Sequence, residues 1–212
     1  MADLIPVHLA VEDQLSEAVL HAILRQSGRN YHVGTCLGRR GFSYLKKRIG
    51  RFNNAAKGTP FIVLTDLDRA ECAPALVKDW LKAPKHHNLI FRVAVKEVES
   101  WIIADRSALA SFLGIKREVV PEMPDKLDDP KEALVGLARK SRKTDLRDAI
   151  VPTQGSKVKR GPDYNATVGR FVKNCWDAKA AMKASPSLRR TFEAISGFRP
   201  TLPKNGAINE GK

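Results

Sequence analysis

The amino-acid sequence predicts an α/β protein with a parallel sheet of about four strands, flanked by helices and followed by a C-terminal helical extension. Three observations support this prediction. Short apolar segments alternate with helical segments over the first 105 residues, two of the strands are apolar on both faces, and the strand signal fades beyond Arg106. Alternating strands and helices form parallel βαβ units, and strands that are apolar on both faces are typical of a sheet covered on both sides.

The predicted elements of the first half follow one another regularly. The chain opens with a β-prone apolar run at 5–11, then changes to apolar residues at helical spacing over 15–24, closed by Gly28. The strand at 61–65, Phe-Ile-Val-Leu-Thr, is the clearest of the chain and follows Gly58-Thr59-Pro60. The remaining predicted elements are a strand at 31–37, a basic helix at 43–56, a helix at 73–81, a strand at 89–95 and a further element from about 98 to 104.

The second half has a different pattern. Four helical segments are predicted near 107–113, 131–142, 164–175 and 186–195, with prolines between them. We therefore divide the chain into an α/β core at 1–106, a basic helical extension at 107–196 packed on the core, and a disordered tail at 197–212, whose sequence has no periodicity.

The charge of the chain is strongly positive and unevenly distributed. Lys and Arg number 37 against 23 Asp and Glu, a net charge of +14, and residues 131–212 alone carry 18 basic and 7 acidic side chains. Such an excess favours a polyanionic partner, most simply nucleic acid, although solvated surface lysines would give the same composition.

The chain shows no sign of export or of membrane insertion. An acidic residue comes too early for a secretory signal, and no apolar run is long enough to cross a bilayer. The three cysteines are scattered and form no Cys-x-x-Cys pair, which is typical of reduced thiols. We expect a cytoplasmic protein.

Carboxylates follow three of the predicted strands. Glu12 follows the first strand, Asp66 and Asp68 follow the third, and Glu97 and Glu99 follow the fourth. Ligands of parallel sheets collect beyond the carboxyl ends of the strands, and side chains two residues apart in an extended segment point the same way. Hard oxygen ligands of this kind suit Mg²⁺ or Mn²⁺.

Each acidic motif also has a structural explanation. An Asp-x-Asp after a strand is common, Glu12 would favour the start of the next helix, and Glu97 would pair with a surface base. An Asp-x-Asp also occurs in haloacid dehalogenases, but there it ends the first strand and here the third.

The order of these motifs resembles the Toprim domain, in which one strand ends in Glu and a later strand ends in Asp-x-Asp. The matching stretches are Ala-Val-Glu-Asp at 10–13 and Leu-Thr-Asp-Leu-Asp-Arg at 64–69, with Asp13 standing where the Toprim pattern usually has glycine. Over residues 5–195 the chain is most similar to small standalone Toprim-like proteins related to nucleases of the overcoming-lysogenisation-defect (OLD) type. The phrases that carry this likeness are VEDQLSEAVL, LTDLDRAEC, VESWIIAD, DPKEAL and GPDYN.

The resemblance implies roles for particular residues. Glu12, Asp66 and Asp68 match the Toprim metal-binding residues, and Glu99 matches a further acid of the OLD-like nucleases. Glu17 is a weaker match to a second acid after the first glutamate, and Glu97 is a secondary candidate. A late lysine of those nucleases corresponds to Lys157 or Lys159. Some relatives act beside an ABC-type ATPase in anti-phage defence, so an ATPase partner is also implied.

Two further basic segments are candidates for nucleic-acid binding. Arg39 and Arg40 would contact a phosphate backbone. The basic group of the following helix, Lys46, Lys47, Arg48 and Arg51, would either do the same or, as is slightly more usual, form a charged outer face of the helix. The loop at 154–165, which contains Arg160, is either a phosphate-binding loop or a solvated connector.

The first functional hypothesis is a magnesium-dependent nuclease. In it, Asp66 and Asp68 hold the ion, Glu12 or Glu99 positions or deprotonates water, and the late lysine steadies the phosphate. The alternative is a non-catalytic module that binds nucleic acid or an ABC-type ATPase. The chain has no phosphate-binding Gly-x-x-x-x-Gly-Lys motif, so we do not expect it to hydrolyse ATP itself.

Overall fold

The computed structural model describes residues 4–202, and within them the chain forms one four-stranded parallel sheet. The strands are β1 (Ile5–Val11), β2 (Tyr31–Gly38), β3 (Phe61–Asp66) and β4 (Leu89–Ala94), in the order β2-β1-β3-β4. The predicted α/β class, with a parallel sheet flanked by helices and followed by helices, is confirmed. The arrangement is consistent with a Toprim-like fold.

The helices of the described residues lie between and after the strands. They are α1 (Gln14–Gln26), α2 (Phe42–Ala55), α3 (Ala73–Trp80), α4 (Val98–Ala104), α5 (Arg106–Leu113), α6 (Pro130–Arg139), α7 (Thr144–Ile150), α8 (Tyr164–Asn174), α9 (Ala178–Ala181) and α10 (Pro186–Ser196). The element expected from about residue 98 is therefore a helix. The short helices α7 and α9 were not predicted from the sequence.

The two faces of the sheet are covered by different parts of the chain. On β3, Ile62 and Leu64 belong to a buried cluster with α1, α4–α6 and α8–α10, whereas Phe61 and Val63 belong to a cluster with α2 and α3. This alternation follows from the period-two geometry of a strand, and it explains why the strand is apolar on both faces. The helices of the extension thus share one hydrophobic core with the sheet and α1.

The order of the strands creates a switch point at the edge where they end, which we call the carboxyl rim. From β1 the chain passes to β2 on one side and later to β3 on the other, so β1 and β3 are neighbours whose connections diverge. A crevice forms at such a point in open parallel sheets. Glu12 directly follows β1 and Asp66 ends β3, so both lie at this crevice.

The first residues of the predicted disordered tail pack on the fold. Phe198 is buried, and the backbone of Thr201 forms two hydrogen bonds with the Asn88 side chain, of 2.8 and 3.0 Å. The local sequence has no periodicity that would reveal this docking, because it depends on a residue more than 100 positions away. The rest of the predicted tail, 203–212, lies outside the described residues.

The three tryptophans of the chain, Trp80, Trp101 and Trp176, are all buried. Within residues 4–202, no helix combines the length and apolarity that crossing a membrane requires.

The tight connection after β2 gives a first testable prediction. Gly38 has a φ of 104°, and a Cβ there would lie 2.0 Å from the carbonyl oxygen of Val11, the residue before Glu12. Gly28 also has a positive φ, 74°, but a Cβ there would meet nothing within 4 Å. Gly28→Ala should cost about 1–2 kcal/mol in the free energy of unfolding, for backbone strain alone. Gly38→Ala should cost about 2–5 kcal/mol, because overpacking adds to that strain.

Urea denaturation of both variants measures the difference. Equal losses of stability in Gly38→Ala and Gly28→Ala would contradict the close approach of β2 to β1 at the carboxyl rim.

Candidate functional site

An open cleft of about 760 Å³ lies at the carboxyl rim, and we call it the acidic cleft. Its lining includes Asp66, Asp68 and Glu97, three of the acids that the sequence singled out, together with Lys159. Carboxylates that follow two different strands therefore face one solvent-accessible space.

Glu12 is fixed between β1 and β3. Its Oε1 accepts hydrogen bonds from the Thr65 hydroxyl and from the backbone N–H of Asp66, the latter at 3.0 Å. Partial burial raises the pKa of Glu12, and the hydrogen bond from Thr65 opposes that rise. The first predicted acid thus contacts the third strand directly, next to Asp66.

Asp66 is the residue of the carboxyl rim whose ionisation the neighbouring carboxylates oppose. Its Oδ1 accepts from the backbone N–H of Val98 at 3.0 Å. Burial raises the pKa of Asp66 well above its ordinary value, and the charges of Glu99 and Glu12 raise it further. Carboxylates that follow β1, β3 and β4 are therefore close enough to disfavour each other's ionisation.

Asp68 reaches the acidic cleft by a different route from the one predicted. The strand ends at Asp66, and Asp68 has a left-handed backbone with a φ of 48°. The extended alternation that was expected to align the two side chains does not continue that far. The chain turns because the backbone N–H of Leu67 donates to the carbonyl oxygens of Ala94 and Lys96, at 2.9 and 2.8 Å. The turn leaves Asp68 exposed in the cleft.

Glu99 lies behind the rim, in the first turn of α4, with 1% of its surface exposed. Its Oε1 accepts from the Tyr164 hydroxyl at 3.1 Å and lies 3.4 Å from Nζ of Lys131, whereas its buried Oε2 has no hydrogen-bond partner within the described residues. Burial raises the pKa of Glu99 to about 7, against the opposing effect of Lys131.

Lys131, at the start of α6, is the counter-charge of this region. Its Nζ lies 3.6 Å from Oε1 of Glu97, and its backbone N–H donates to Oε2 of Glu97 at 3.2 Å. Burial lowers the pKa of Lys131, but the charges of Glu99 and Glu97 outweigh burial and the net shift is upward. The ammonium group is therefore retained at neutral pH, and it bridges the two glutamates.

Two candidate residues near β2, Glu17 and Arg39, form an ion pair with each other. The guanidinium of Arg39 forms two contacts with the carboxylate of Glu17, at 2.6 and 2.7 Å. This pairing occupies both groups, so neither is presented free to a metal ion or a phosphate. The guanidinium of Arg40 lies 5.8 Å from the ring centre of Tyr44.

The basic residues of the loop at 154–165 differ in whether they line the acidic cleft. Lys159 lines the acidic cleft and forms an ion pair of 3.5 Å with Asp129. A neighbouring cleft of about 800 Å³ is lined by Lys131, Lys159 and Arg160, among others. Lys157 is exposed and is not among the lining residues of either cleft.

The rim residues are of the types that bind a divalent cation, but their side chains are not arranged around a common point. Within residues 4–202, no group of three or more His, Cys, Asp or Glu side chains is already arranged to hold a metal ion. However, Asp66 is a carboxylate whose charge is disfavoured by its neighbours, and Glu99 has a buried oxygen without a partner. A cation that binds oxygen ligands would offset the charge repulsion at Asp66 and would give the unpaired oxygen of Glu99 a partner. Asp66, Asp68 and Glu12 are the residues that would hold it, with Glu99 behind them.

Sequence reasoning missed three residues that shape the site: Thr65, Lys131 and Tyr164. Lys131 and Tyr164 do lie within the phrases DPKEAL and GPDYN, which carried the family likeness. A signal for them existed in principle, because a carboxylate on an apolar helix such as α4 requires a buried donor or cation. The sequence alone does not say which of the many lysines and tyrosines supplies it.

Fold and site together define an α/β protein with a parallel sheet and an acidic carboxyl rim at its switch point. The chain belongs to the family described as domain of unknown function DUF4276, whose model matches residues 11–195. The match spans every strand end that carries an acid. Comparisons with curated proteins and with solved structures found no match.

The buried Glu99 makes stability depend on pH. A carboxyl group whose pKa rises from 4.5 to about 7 on folding binds more protons in the folded state, so stability should fall as pH increases between these values. Glu99→Gln removes that titration, and the fall in melting temperature between pH 5 and 7 should become shallower. Thermal unfolding in EDTA across this range measures the effect.

A matched control is available on α6, where Glu132 is exposed. Glu132→Gln should leave the pH dependence as in the wild type. A Glu99→Gln profile that superimposes on the wild-type profile would show that Glu99 does not titrate in this window.

Proposed function

We propose that the protein is a metal-dependent nuclease that cleaves nucleic-acid phosphodiester bonds with Mg²⁺ or Mn²⁺. The observation that carries the proposal is the convergence of carboxylates from three strand ends on Asp66, next to an open cleft. Structural carboxylates normally pair with bases, whereas clustered acids with raised pKa values in a cleft are typical of functional sites.

The side chains of the carboxyl rim would have different roles according to their position. Asp66 and Asp68 face the cleft and would hold the ion, which supplies an activated water and neutralises charge on the phosphodiester. Glu12 or Glu99 would position or deprotonate the water. A pKa of about 7 suits Glu99 for accepting a proton near neutral pH. Of the two late lysines, Lys159 lines the cleft and is the better placed to steady the phosphate.

One observation favours the non-catalytic alternative. Lys131 already neutralises Glu97 and Glu99, and Thr65 satisfies one oxygen of Glu12, so part of the acidic cluster is stabilised by the protein itself. A module that uses these acids only for structure would bind nucleic acid or an ABC-type ATPase and would not cut.

The proposed nuclease would act in the cytoplasm, a location supported by the three cysteines, which form no disulfide in the structure. An ABC-type ATPase partner, and with it a role in anti-phage defence, stays a prediction from the Toprim and OLD resemblance.

Asparagine substitutions test the metal site independently of catalysis. With Mg²⁺ or Mn²⁺ at about ten times its dissociation constant, the wild-type melting temperature should rise by about 3–6 °C. Asp66→Asn and Asp68→Asn should lose most of that rise and should abolish metal-dependent cleavage of single-stranded DNA, duplex DNA or tRNA. In EDTA, Asp66→Asn should melt at a higher temperature than the wild type, because it removes a partly buried charge that its neighbours disfavour.

The matched control is Asp79→Asn. Asp79 lines the same cleft, but its carboxylate pairs with Lys46 at 2.7 Å. This variant should keep both the metal-induced shift and the cleavage. Undiminished cleavage in Asp66→Asn and Asp68→Asn would refute the nuclease assignment, and a missing metal shift in the wild type would support the non-catalytic module.

A further inference from the structure

A partly exposed aromatic side chain lies in the lining of the acidic cleft. Phe42, the first residue of α2, is 50% exposed and lines the cleft that contains Asp66 and Asp68. Its ring centre lies 6.5 Å from that of Trp80, which in turn lies 5.7 Å from that of Phe91 on β4. Phe42 therefore packs against buried aromatic side chains, while part of the residue remains exposed to solvent.

The other flank of α2 forms a cleft of about 400 Å³, which we call the basic cleft. It is lined by Ser43, Tyr44, Lys47, Arg48 and Arg51. The guanidinium of Arg48 lies 4.6 Å from the ring centre of Tyr44, which helps to hold that cation in place. The lining contains three cations and no acid.

These cations differ from the lysines of the acidic cleft. There, Lys46 pairs with Asp79 at 2.7 Å and Lys96 pairs with Asp128 at 2.8 Å. Within residues 4–202, no carboxylate forms an ion pair with Lys47, Arg48 or Arg51. The basic cleft thus keeps positive charge available for an external anion.

The spacing along α2 places the two features side by side. Residues four apart lie on one side of a helix, so Phe42 and Lys46 face the acidic cleft together, while Lys47 and Arg51 face the basic cleft. A strand of nucleic acid that crosses the start of α2 would meet cations first and an aromatic ring next to the acids. Unpaired bases stack on exposed aromatic rings, whereas the bases of a duplex are already stacked and paired.

We propose that α2 is the substrate-binding surface and that it selects single-stranded nucleic acid. Phe42 stacks on an unpaired base next to Asp66 and Asp68, and Lys47, Arg48 and Arg51 hold the phosphates of the adjoining strand. The inference rests on the proposed nuclease function for the location of the reacting phosphate, but the binding itself requires no metal ion.

Fluorescence anisotropy in EDTA tests the surface without cleavage. Labelled single strands of DNA and of RNA, a duplex with the same number of phosphates, and an abasic DNA strand would be titrated with the full chain. The wild type should prefer single strands to the duplex. Phe42→Ala should weaken single-strand binding by about tenfold, the typical loss of one base–aromatic stack, and should leave binding of the duplex and the abasic strand unchanged.

Three further variants separate stacking from charge and from folding. Phe42→Trp keeps an aromatic face and should bind single strands as well as the wild type. Met123→Ala is the control, because Met123 is 58% exposed and lines neither cleft. The double change Arg48→Ala with Arg51→Ala should make single-strand affinity less dependent on salt, by about 1.4 in the slope of log K against log salt.

The outcomes distinguish this inference from the proposed function. A Phe42→Ala variant with the single-strand preference of the wild type overturns the stacking surface, whatever the enzyme cuts. The predicted binding pattern without any metal-dependent cleavage supports the surface and refutes the nuclease. The DNA and RNA arms show which backbone the surface accepts, and equal binding of single strands and duplex by the wild type overturns the proposed selectivity.

Discussion

The site depends on one electrostatic constraint: partly or fully buried carboxylates meet at one rim of a parallel sheet. The switch point of the strand order brings Glu12 next to Asp66, and α4 places Glu99 behind them. Like charges in such a place raise each other's pKa and destabilise the ionised forms. The Thr65 hydroxyl and the backbone N–H of Val98 each stabilise one carboxylate by hydrogen bonding. These hydrogen bonds stabilise the ionised carboxylates but do not neutralise their charge.

Neutralisation comes from the C-terminal half of the chain. Lys131 of α6 and the Tyr164 hydroxyl of α8 both contact Glu99, which lies on the helix that directly follows the last strand. The extension therefore does more than cover one face of the sheet. Because its cation and its hydroxyl are fixed by their own helices, the packing of α6 and α8 on the core determines how the buried carboxylate is held. Core and extension together form the site.

The parts of the fold that the sequence predicted are those set by local pattern. Apolar runs and helical spacing located all four strands, and the switch-point rule connected Glu12 with Asp66 although 54 residues separate them. What could not be predicted depends on contacts between distant segments or on local turns. The left-handed backbone at Asp68 follows from hydrogen bonds to the end of β4, and the pairing of Lys131 with Glu99 follows from helix packing. The exposure of Phe42 is likewise a tertiary property, since a phenylalanine at a helix start is more often part of a core.

The distribution of charge in space explains how an acidic site and a basic chain are compatible. An anionic polymer is repelled by a rim on which Asp66 and Asp68 have no lysine or arginine in ion-pair contact among the described residues. The three lysines inside the acidic cleft are each paired with another carboxylate, so they add little attraction for an external phosphate, and Arg69 is the one cation of its lining without an ion pair among the described residues. The unpaired cations of α2 lie outside the rim, where they attract phosphates without neutralising the acids. In the proposed function, this separation would leave Asp66 and Asp68 available to a divalent ion while the cations of α2 hold the strand.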